Sequence, residues 1–217
     1  MAYYPLFFDL SEKDILIIGG GHTAYEKAHR LQPFGPKLSV IALQICTDLQ
    51  AMEGVFFKKQ AWQETDLQDR FLVIAATNEP FENEKIAGLC RKQKILCSVV
   101  DNASLSQTIF GSVVHDGDLT IGISTSGASP SAARWLKKKI TALVPSNFAA
   151  TLSWLKARRP EIIERVEAGK RPKLFHKLFD ACLQKGRPLS AQEYAGVLEN
   201  CVKPTGKPAE KKEKNPV

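Results

Sequence analysis

The chain has 217 residues, of which 44% are hydrophobic and 24% are charged, and it carries a formal net charge of +7. This composition suits a globular protein with an ample core, and no apolar run approaches the roughly 20 residues that span a bilayer. The positive charge fits an anionic ligand but is too small and scattered to indicate nucleic acid binding. The five cysteines form no C-x-x-C pair, so we expect reduced thiols, a cytoplasmic protein and no bound metal.

Strand-like and helix-like segments alternate along the first half of the chain. Short runs rich in Val, Ile and Phe are typical of strands covered on both faces, and they occur at residues 14–19, 37–42, 55–58, 71–76 and 95–100. Helix-like segments lie between them at residues 22–34, around 45–52, and at 81–92, where Asn78-Glu79-Pro80 signals the helix start. The alternation predicts an α/β, Rossmann-like, doubly wound parallel sheet whose ligands bind at the carboxyl ends of the strands.

The first predicted strand runs into Gly19-Gly20-Gly21-His22-Thr23-Ala24, which reads as G-x-G-x-x-A. Gly19 would permit a tight bend, Gly21 would let the backbone approach a pyrophosphate, and Ala24 would let the helix pack closely. The amides at the helix start, at His22 and Thr23, would face the phosphates. The pattern therefore predicts a dinucleotide site, and its plainer alternative is an ordinary glycine-rich turn.

The acidic residue that usually holds the ribose hydroxyls of NAD is missing from the end of the second predicted strand. The sequence there reads Val40-Ile41-Ala42-Leu43-Gln44, with neither a carboxylate nor an arginine. We expect the Leu43-Gln44 stretch or backbone groups to contact the ribose. This gap argues against a generic dehydrogenase and for an unusual subfamily.

The second half of the chain changes character. Two strand-like runs at residues 108–115 and 119–124 flank Asp116-Gly117-Asp118, a strong hairpin signal. Ser129 is a natural N-cap with Pro130 at the first helical position, so a helix is predicted to about Val144. From Asn147 onward the pattern is helical, and Ser190-Ala191-Gln192-Glu193 predicts a capping box. The predicted domains are 1–111, a dimerisation region at 112–146, a helical region at 147–202 and a disordered Lys-rich tail at 203–217.

The order of these pieces resembles the precorrin-2 dehydrogenase module of siroheme synthases. The resemblance is carried by Pro5-Leu6-Phe7 with Leu10 as an opening strand, Ile17-Ile18-Gly19-Gly20-Gly21 with Ala24 and Lys27-Ala28, Ala75-Ala76-Thr77-Asn78, Cys97-Ser98-Val99-Val100-Asp101, and Ile123-Ser124-Thr125-Ser126-Gly127-Ala128-Ser129-Pro130 with Ala133-Arg134. It implies that precorrin-2 loses two hydrogens to NAD and becomes sirohydrochlorin, and that some members then insert ferrous iron. It also implies a homodimer in which the hairpin and helices of one subunit embrace the other. Gly111 departs from the family, which usually has proline there.

The resemblance also implies roles for individual residues. Asp101 is the predicted catalytic residue, because a positioned carboxylate can accept the proton lost together with the hydride. Thr77 and Asn78 would line the nicotinamide side of the cofactor. The hydroxyl-rich turn Ser124-Thr125-Ser126 and Arg134 would bind the carboxylates of the tetrapyrrole. The plainer alternatives are a turn cap for Asp101, helix caps for the hydroxyls, and a surface arginine paired with a local acid.

Two other functions stay open at this stage. The chain is either a dehydrogenase alone or a dehydrogenase that is also a sirohydrochlorin ferrochelatase, and its four histidines have no metal-ligand spacing. A non-enzymatic, dinucleotide-sensing module would need a helix rich in Arg and Lys beside Asn and Gln. Arg158-Arg159 is followed at once by Pro160, and the lysines at 137–139 have no neighbouring amides, so neither stretch favours this alternative.

Overall fold

The computed structural model describes residues 3–202, with the side chains of residues 201 and 202 left out, so the predicted tail lies outside the described residues. The chain forms two compact units. Of the described residues, the first unit comprises residues 3–111 together with Ser126–Ala128. The second comprises Ser112–Thr125 and residues 129–202.

The first unit is built on a parallel sheet. Its strands are β1 (Asp14–Ile18), β2 (Lys37–Ile41), β3 (Val55–Lys58), β4 (Leu72–Ala75) and β5 (Leu96–Val99). They are arranged in the order β3-β2-β1-β4-β5, and β1 pairs in parallel register with both β2 and β4. This order is that of a doubly wound sheet, so the predicted fold class is confirmed.

Helices cover both faces of this sheet. They are α1 (His22–Leu31), the short α2 (Thr47–Gln50) and α3 (Pro80–Gln93), with 3-10 turns at Gln32–Phe34 and Glu64–Leu67. Along β1, Ile15 and Ile17 pack with α1, whereas Leu16 and Ile18 pack with α3. The strand is therefore buried on both faces, which explains its continuous apolar sequence. The predicted first helix ends as an α-helix at Leu31 rather than at Phe34, because Pro33 has no backbone N–H.

The opening strand implied for Pro5-Leu6-Phe7 does not form. Residues 3–10 have no regular structure, and the side chains of Leu6 and Phe7 are 65% and 72% exposed. A strand needs a neighbour's backbone to pair with, and no described strand pairs with this segment. Phe8 is anchored by an edge-on contact with Phe71, with ring centroids 5.6 Å apart.

The second unit begins with the predicted hairpin. It consists of β6 (Ser112–Asp116) and β7 (Leu119–Ile123), joined by a tight turn in which Gly117 has a φ of +56°. The predicted start of its first strand at Thr108 is wrong. The amides of Gln107 and Thr108 both donate to the Cys97 carbonyl at the end of the first unit's sheet, at 2.9 and 3.3 Å, so they are not available to a hairpin partner.

Four helices complete the second unit: α4 (Pro130–Leu143), α5 (Phe148–Arg165), α6 (Arg171–Lys185) and α7 (Ala191–Val202). The predicted N-cap of α4 is confirmed, since the Ser129 hydroxyl accepts a hydrogen bond from the Ala132 amide at 3.1 Å. The predicted capping box of α7 is also confirmed by reciprocal bonds between Ser190 and Glu193 at 2.7 and 3.3 Å. A separate apolar core joins α5, α6 and α7, with members that include Ile162, Leu174, Leu178, Cys182 and Leu198.

Candidate functional site

The three glycines after β1 have three different surroundings. Gly19 has a φ of +130°, and a Cβ there would lie 2.1 Å from the Ala76 carbonyl oxygen. A Cβ on Gly20 would lie 1.9 Å from the Gln44 carbonyl oxygen, whereas a Cβ on Gly21 would meet nothing within 4 Å. The first two glycines thus allow neighbouring loops to approach, and the third leaves open space in front of the turn. The sequence pattern did not reveal the requirement at Gly20, because Gln44 comes from another loop.

The start of α1 offers unpaired backbone donors to a ligand. Gly21 is the N-cap residue, no side chain caps this helix end, and the first intrahelical bond runs from the Tyr25 amide to the Gly21 carbonyl at 3.1 Å. The preceding amides, including those of His22 and Thr23, therefore have no partner within the helix. His22 is exposed, with its Nε2 atom 3.8 Å from a Glu26 carboxylate oxygen. An anion at this helix end would be stabilised by the amides and the helix dipole.

The end of β2 is tied to the glycine turn through the backbone. The Cys46 amide donates to the Gly20 carbonyl at 2.8 Å, and the Ala42 amide donates to the Lys58 carbonyl at 3.2 Å. These bonds leave the side chains of Leu43 and Gln44 exposed, with Leu43 at 73%. An apolar side chain and an amide thus stand where many dinucleotide sites place a carboxylate.

A cavity of about 340 Å³ lies at the carboxyl ends of β4 and β5. Four of the predicted site residues line it, namely Thr23, Thr77, Asn78 and Asp101. A larger hollow of about 560 Å³ lies at the opposite edge of the sheet, beside Arg70 and Lys94. Ligands of doubly wound sheets bind at the carboxyl ends of the strands, so the smaller cavity is the candidate site.

Asn83 fixes the Thr77 wall of this cavity, and sequence reasoning missed it. Its side-chain oxygen accepts hydrogen bonds from the Thr77 amide at 3.1 Å and from the Thr77 hydroxyl at 2.8 Å. Its side-chain amide donates to the Thr77 carbonyl at 3.0 Å, and the residue is only 7% exposed. The Thr77 hydroxyl also accepts a hydrogen bond from the Glu79 amide at 3.2 Å. Thr77 therefore both holds Glu79, the residue before α3, and lines the cavity. The one sign of this role in the sequence is that Asn83 is a polar residue on the otherwise apolar, buried face of α3.

Asp101 stands at the cavity in a strained backbone conformation. Its φ is +59°, the left-handed region, which costs a residue with a side chain on the order of 1 kcal/mol or more. The Val100 amide donates to the Ala75 carbonyl at 2.9 Å, and this bond anchors the preceding residue to the sheet. The Asn102 side chain accepts from Ser104 at 2.6 Å and from the Leu105 amide at 3.3 Å. Asn102 thus caps this turn, and the exposed Asp101 carboxylate is placed at the cavity.

The remaining predicted residues lie around the start of α4. The Thr125 hydroxyl donates to the Ser129 carbonyl at 3.1 Å and accepts from the Ser129 amide at 3.2 Å, so it has the geometry of a helix cap. Ser124 and Ser126 are exposed, and the backbone of Ser126 has a φ of +52°. Arg134 is exposed and its Nη2 atom lies 3.5 Å from the Ser131 hydroxyl, rather than beside an acid. That these residues share a ligand with Asp101 stays a prediction.

The described residues contain no group of three or more His, Cys, Asp or Glu side chains that could hold a metal ion. None of the helices in the described part of the chain combines the length and the hydropathy needed to cross a membrane.

The sheet order and the glycine turn define the first unit as a Rossmann-like domain of the dinucleotide-binding class. Residues 6–112 match the family described as putative NAD(P)-binding, and residues 116–143 match the family described as sirohaem biosynthesis protein central. These two matches follow each other along the chain and together span residues 6–143, so this part of the chain is similar to proteins of sirohaem biosynthesis.

Several curated relatives are siroheme synthases. The chain is 32% identical to the siroheme synthase of Zymomonas mobilis, over 81% of this chain and 38% of the relative. It is 33% identical to that of Saccharophagus degradans, over 79% of this chain and 39% of the relative. The chain thus spans less than half the length of these relatives.

One solved structure shares the fold over nearly the whole chain. It is SirC, a precorrin-2 dehydrogenase, with a TM-score of 0.73 and 22% sequence identity. The match covers 92% of this chain and 98% of SirC. At this identity the likeness establishes the fold.

Proposed function

We propose that the chain is an NAD-dependent precorrin-2 dehydrogenase that produces sirohydrochlorin in siroheme biosynthesis. One observation carries the proposal: Asp101 lines the same cavity as Thr23, the second residue of α1 after the glycine turn. A proton acceptor and a phosphate-binding helix start thereby meet at one edge of the sheet. The similarity of the chain to sirohaem biosynthesis proteins and siroheme synthases supports the choice of substrate.

The residues present fit a dinucleotide. The open space in front of Gly21 leaves room for a pyrophosphate beside the amides of His22 and Thr23. Leu43 and Gln44 would contact the ribose, and Thr77 and Asn78 would line the nicotinamide. Bound NAD would supply the acceptor for a hydride. Rigid hydrogen bonding between Thr77 and Asn83 would keep that wall of the cavity in place.

Asp101 provides the acid–base chemistry. Oxidation of precorrin-2 removes a hydride with its electron pair and a proton from the macrocycle. The exposed Asp101 carboxylate at the cavity can accept that proton, which turns it into a carboxylic acid that water then deprotonates. Its strained turn, held by Val100 and Asn102, limits the orientations of the carboxylate.

The substrate carries many acetate and propionate groups, so its binding needs cations and hydroxyls. We assign this role to Ser124, Thr125 and Ser126 at the start of α4 and to the exposed Arg134 guanidinium. The net charge of +7 would favour such an anionic ligand. We also assign the chain to the cytoplasm, in keeping with the free thiols of Cys90 and Cys97.

A homodimer is part of the same proposal. Helix α4 exposes Trp135 at 60% and Leu143 at 80%, and Val113 of β6 is 37% exposed. Exposed large apolar side chains on α4 and β6 are typical of a surface that is covered by a partner. Analytical ultracentrifugation of the full chain checks this assignment, which predicts a species of twice the chain mass.

The experiment that tests the activity is an anaerobic absorbance assay with precorrin-2, with and without NAD. We expect sirohydrochlorin to form only when NAD is present, with one NADH for each product molecule. A wild-type protein that converts no precorrin-2 would contradict the proposal. Binding of NAD without conversion would instead favour a dinucleotide-sensing module.

Sirohydrochlorin ferrochelatase is the second candidate activity, favoured by the exposure of Asp101 at the cavity. Insertion of ferrous iron releases two pyrrole protons, and the same carboxylate could accept them one after the other, passing the first to water before it takes the second. Iron would be a substrate here. Adding ferrous iron to sirohydrochlorin under anaerobic conditions tests this activity, and a rate no faster than the uncatalysed reaction would exclude it.

A further inference from the structure

Lys27 is a partly buried cation to which the chemistry above gives no role. It lies on α1 three residues after Ala24, at the border of the helix face that Ala24 and Ala28 bury against the sheet. Its ammonium nitrogen is 4.6 Å from the centroid of the Phe110 ring. This distance is within the range of a cation–π interaction, which is worth most where water is excluded.

The charge of Lys27 is not neutralised by a direct ion pair. Among the residues that the structure describes, no carboxylate oxygen lies within 4.0 Å of its ammonium group. Burial lowers the pKa of Lys27, and the neighbouring Arg30 lowers it further. The carboxylates of Glu26 and Asp101 act in the opposite direction.

The segment that carries Asp101 packs at both of its ends against the first unit's apolar core, and its far end reaches Lys27 of α1 through Phe110. Val100, just before Asp101, and Phe110, at the end of the segment, both contact the apolar cluster that contains Ala24 and Ala28. Lys27 itself is not among the residues that line the cavity. Any effect of Lys27 on the reaction must therefore pass through this segment.

We propose that Lys27 is a positioning residue, whose ammonium holds the Phe110 ring and so fixes the far end of the segment that carries Asp101. This role rests on the proposed dehydrogenase function.

The test compares Lys27→Met, which keeps the apolar stem and removes the charge, with Lys27→Arg, which keeps the charge. We expect Lys27→Met to lower kcat about tenfold or more through misplacement of the carboxylate, with the KM for NAD unchanged. Lys27→Arg should recover most of kcat. The matched control is Lys85→Met, since Lys85 lies 5.3 Å from the Trp62 ring in the same unit but away from the cavity.

A double-mutant cycle with Asp101→Asn separates positioning from a merely structural role. If Lys27 acts through Asp101, adding Lys27→Met to Asp101→Asn should lower kcat no further. The proposal would be overturned if the kcat losses of the two single variants multiply in the double variant. It would also be overturned if the melting temperature of Lys27→Met falls in parallel with kcat, or if Lys27→Arg recovers no activity. An unchanged kcat in Asp101→Asn would instead show that the proposed function has the wrong base.

Discussion

The two compact units differ in what holds their candidate functional residues. In the first unit, backbone contacts hold the loops that carry the candidate residues. Gly19 lies against the Ala76 carbonyl, Gly20 lies against the Gln44 carbonyl, and the Val100 amide bonds to the Ala75 carbonyl. In the second unit side chains hold the start of α4, through the hydroxyls of Thr125 and Ser129. Changes to the exposed Asp101 side chain at the first site should therefore alter chemistry before stability, whereas changes to buried Asn83 or to the α4 start should alter stability as well.

The largest effect is expected at Gly19 in the first unit, because the backbone there lies directly against the backbone of Ala76. Gly19→Ala would place a Cβ 2.1 Å from the Ala76 carbonyl in a conformation that favours glycine. We expect the free energy of unfolding to fall by about 3 kcal/mol or more. Denaturant unfolding followed by circular dichroism measures this loss, and a change below about 1 kcal/mol would show that the two loops can move apart.

Gly21 provides the matched variant for the same turn. Gly21→Ala adds a methyl group to open space at a φ of −84°, so its stability should stay within about 0.5 kcal/mol of wild type. The methyl group would stand where the pyrophosphate approaches, and we expect NAD affinity to fall about tenfold or more. Calorimetric titration with NAD measures the affinity. Unchanged affinity would place the phosphates elsewhere.

Asn83→Ala is expected to have the next largest effect, because it removes a buried side chain that bonds to Thr77 three times. Leaving the amide and the carbonyl of the half-buried Thr77 without these partners should cost about 2 kcal/mol. Thermal unfolding measures the loss, and kcat should also fall because this wall of the cavity loosens. An unaltered melting temperature would mean that water replaces these bonds without cost.

Ser129→Ala tests the second unit, where a side chain caps α4. Losing the bond to the Ala132 amide should cost about 1 kcal/mol. Ser131→Ala is the control, since Ser131 lies in the first turn of the same helix and caps no helix end. Equal losses for the two variants would contradict the cap.

The smallest effect concerns the pH dependence of stability and comes from Asp66, which does not line the cavity. Burial would raise the pKa of Asp66, but the Gln63 amide, Lys58 and Arg70 outweigh it and hold the pKa below its ordinary value of 3.8. The stability from this carboxylate is therefore present above the ordinary pKa and is lost as pH falls through the lower, folded-state pKa. Unfolding midpoints measured across the acid range should show a shallower decline in Asp66→Asn. An identical decline would assign the acid sensitivity to other groups.

The sequence predicted those features that depend on local pattern and failed where distant segments meet. The strands, the hairpin turn at Gly117 and the caps at Ser129 and Ser190 follow from periodicity and turn chemistry, and the structure has them. The opening strand at Pro5-Leu6-Phe7 failed because a local pattern does not show whether a partner strand is available.

The candidate site divides in the same way. Thr23, Thr77, Asn78 and Asp101 follow strand ends and could be placed at one sheet edge in advance, because parallel strands end together. Gly20, Asn83 and Lys27 were missed, since their roles depend on Gln44, Thr77 and Phe110, which come from other parts of the chain.

The most direct test of the central claim, that Asp101 takes the proton during precorrin-2 oxidation, is the kcat of Asp101→Asn compared with Asp69→Asn. Asp69 is also exposed with a φ of +59°, but it lies at the opposite edge of the sheet. We predict that Asp101→Asn lowers kcat by about 10² to 10⁴ with NAD affinity kept, while Asp69→Asn retains wild-type kcat. Similar values of kcat for the two variants would contradict the account.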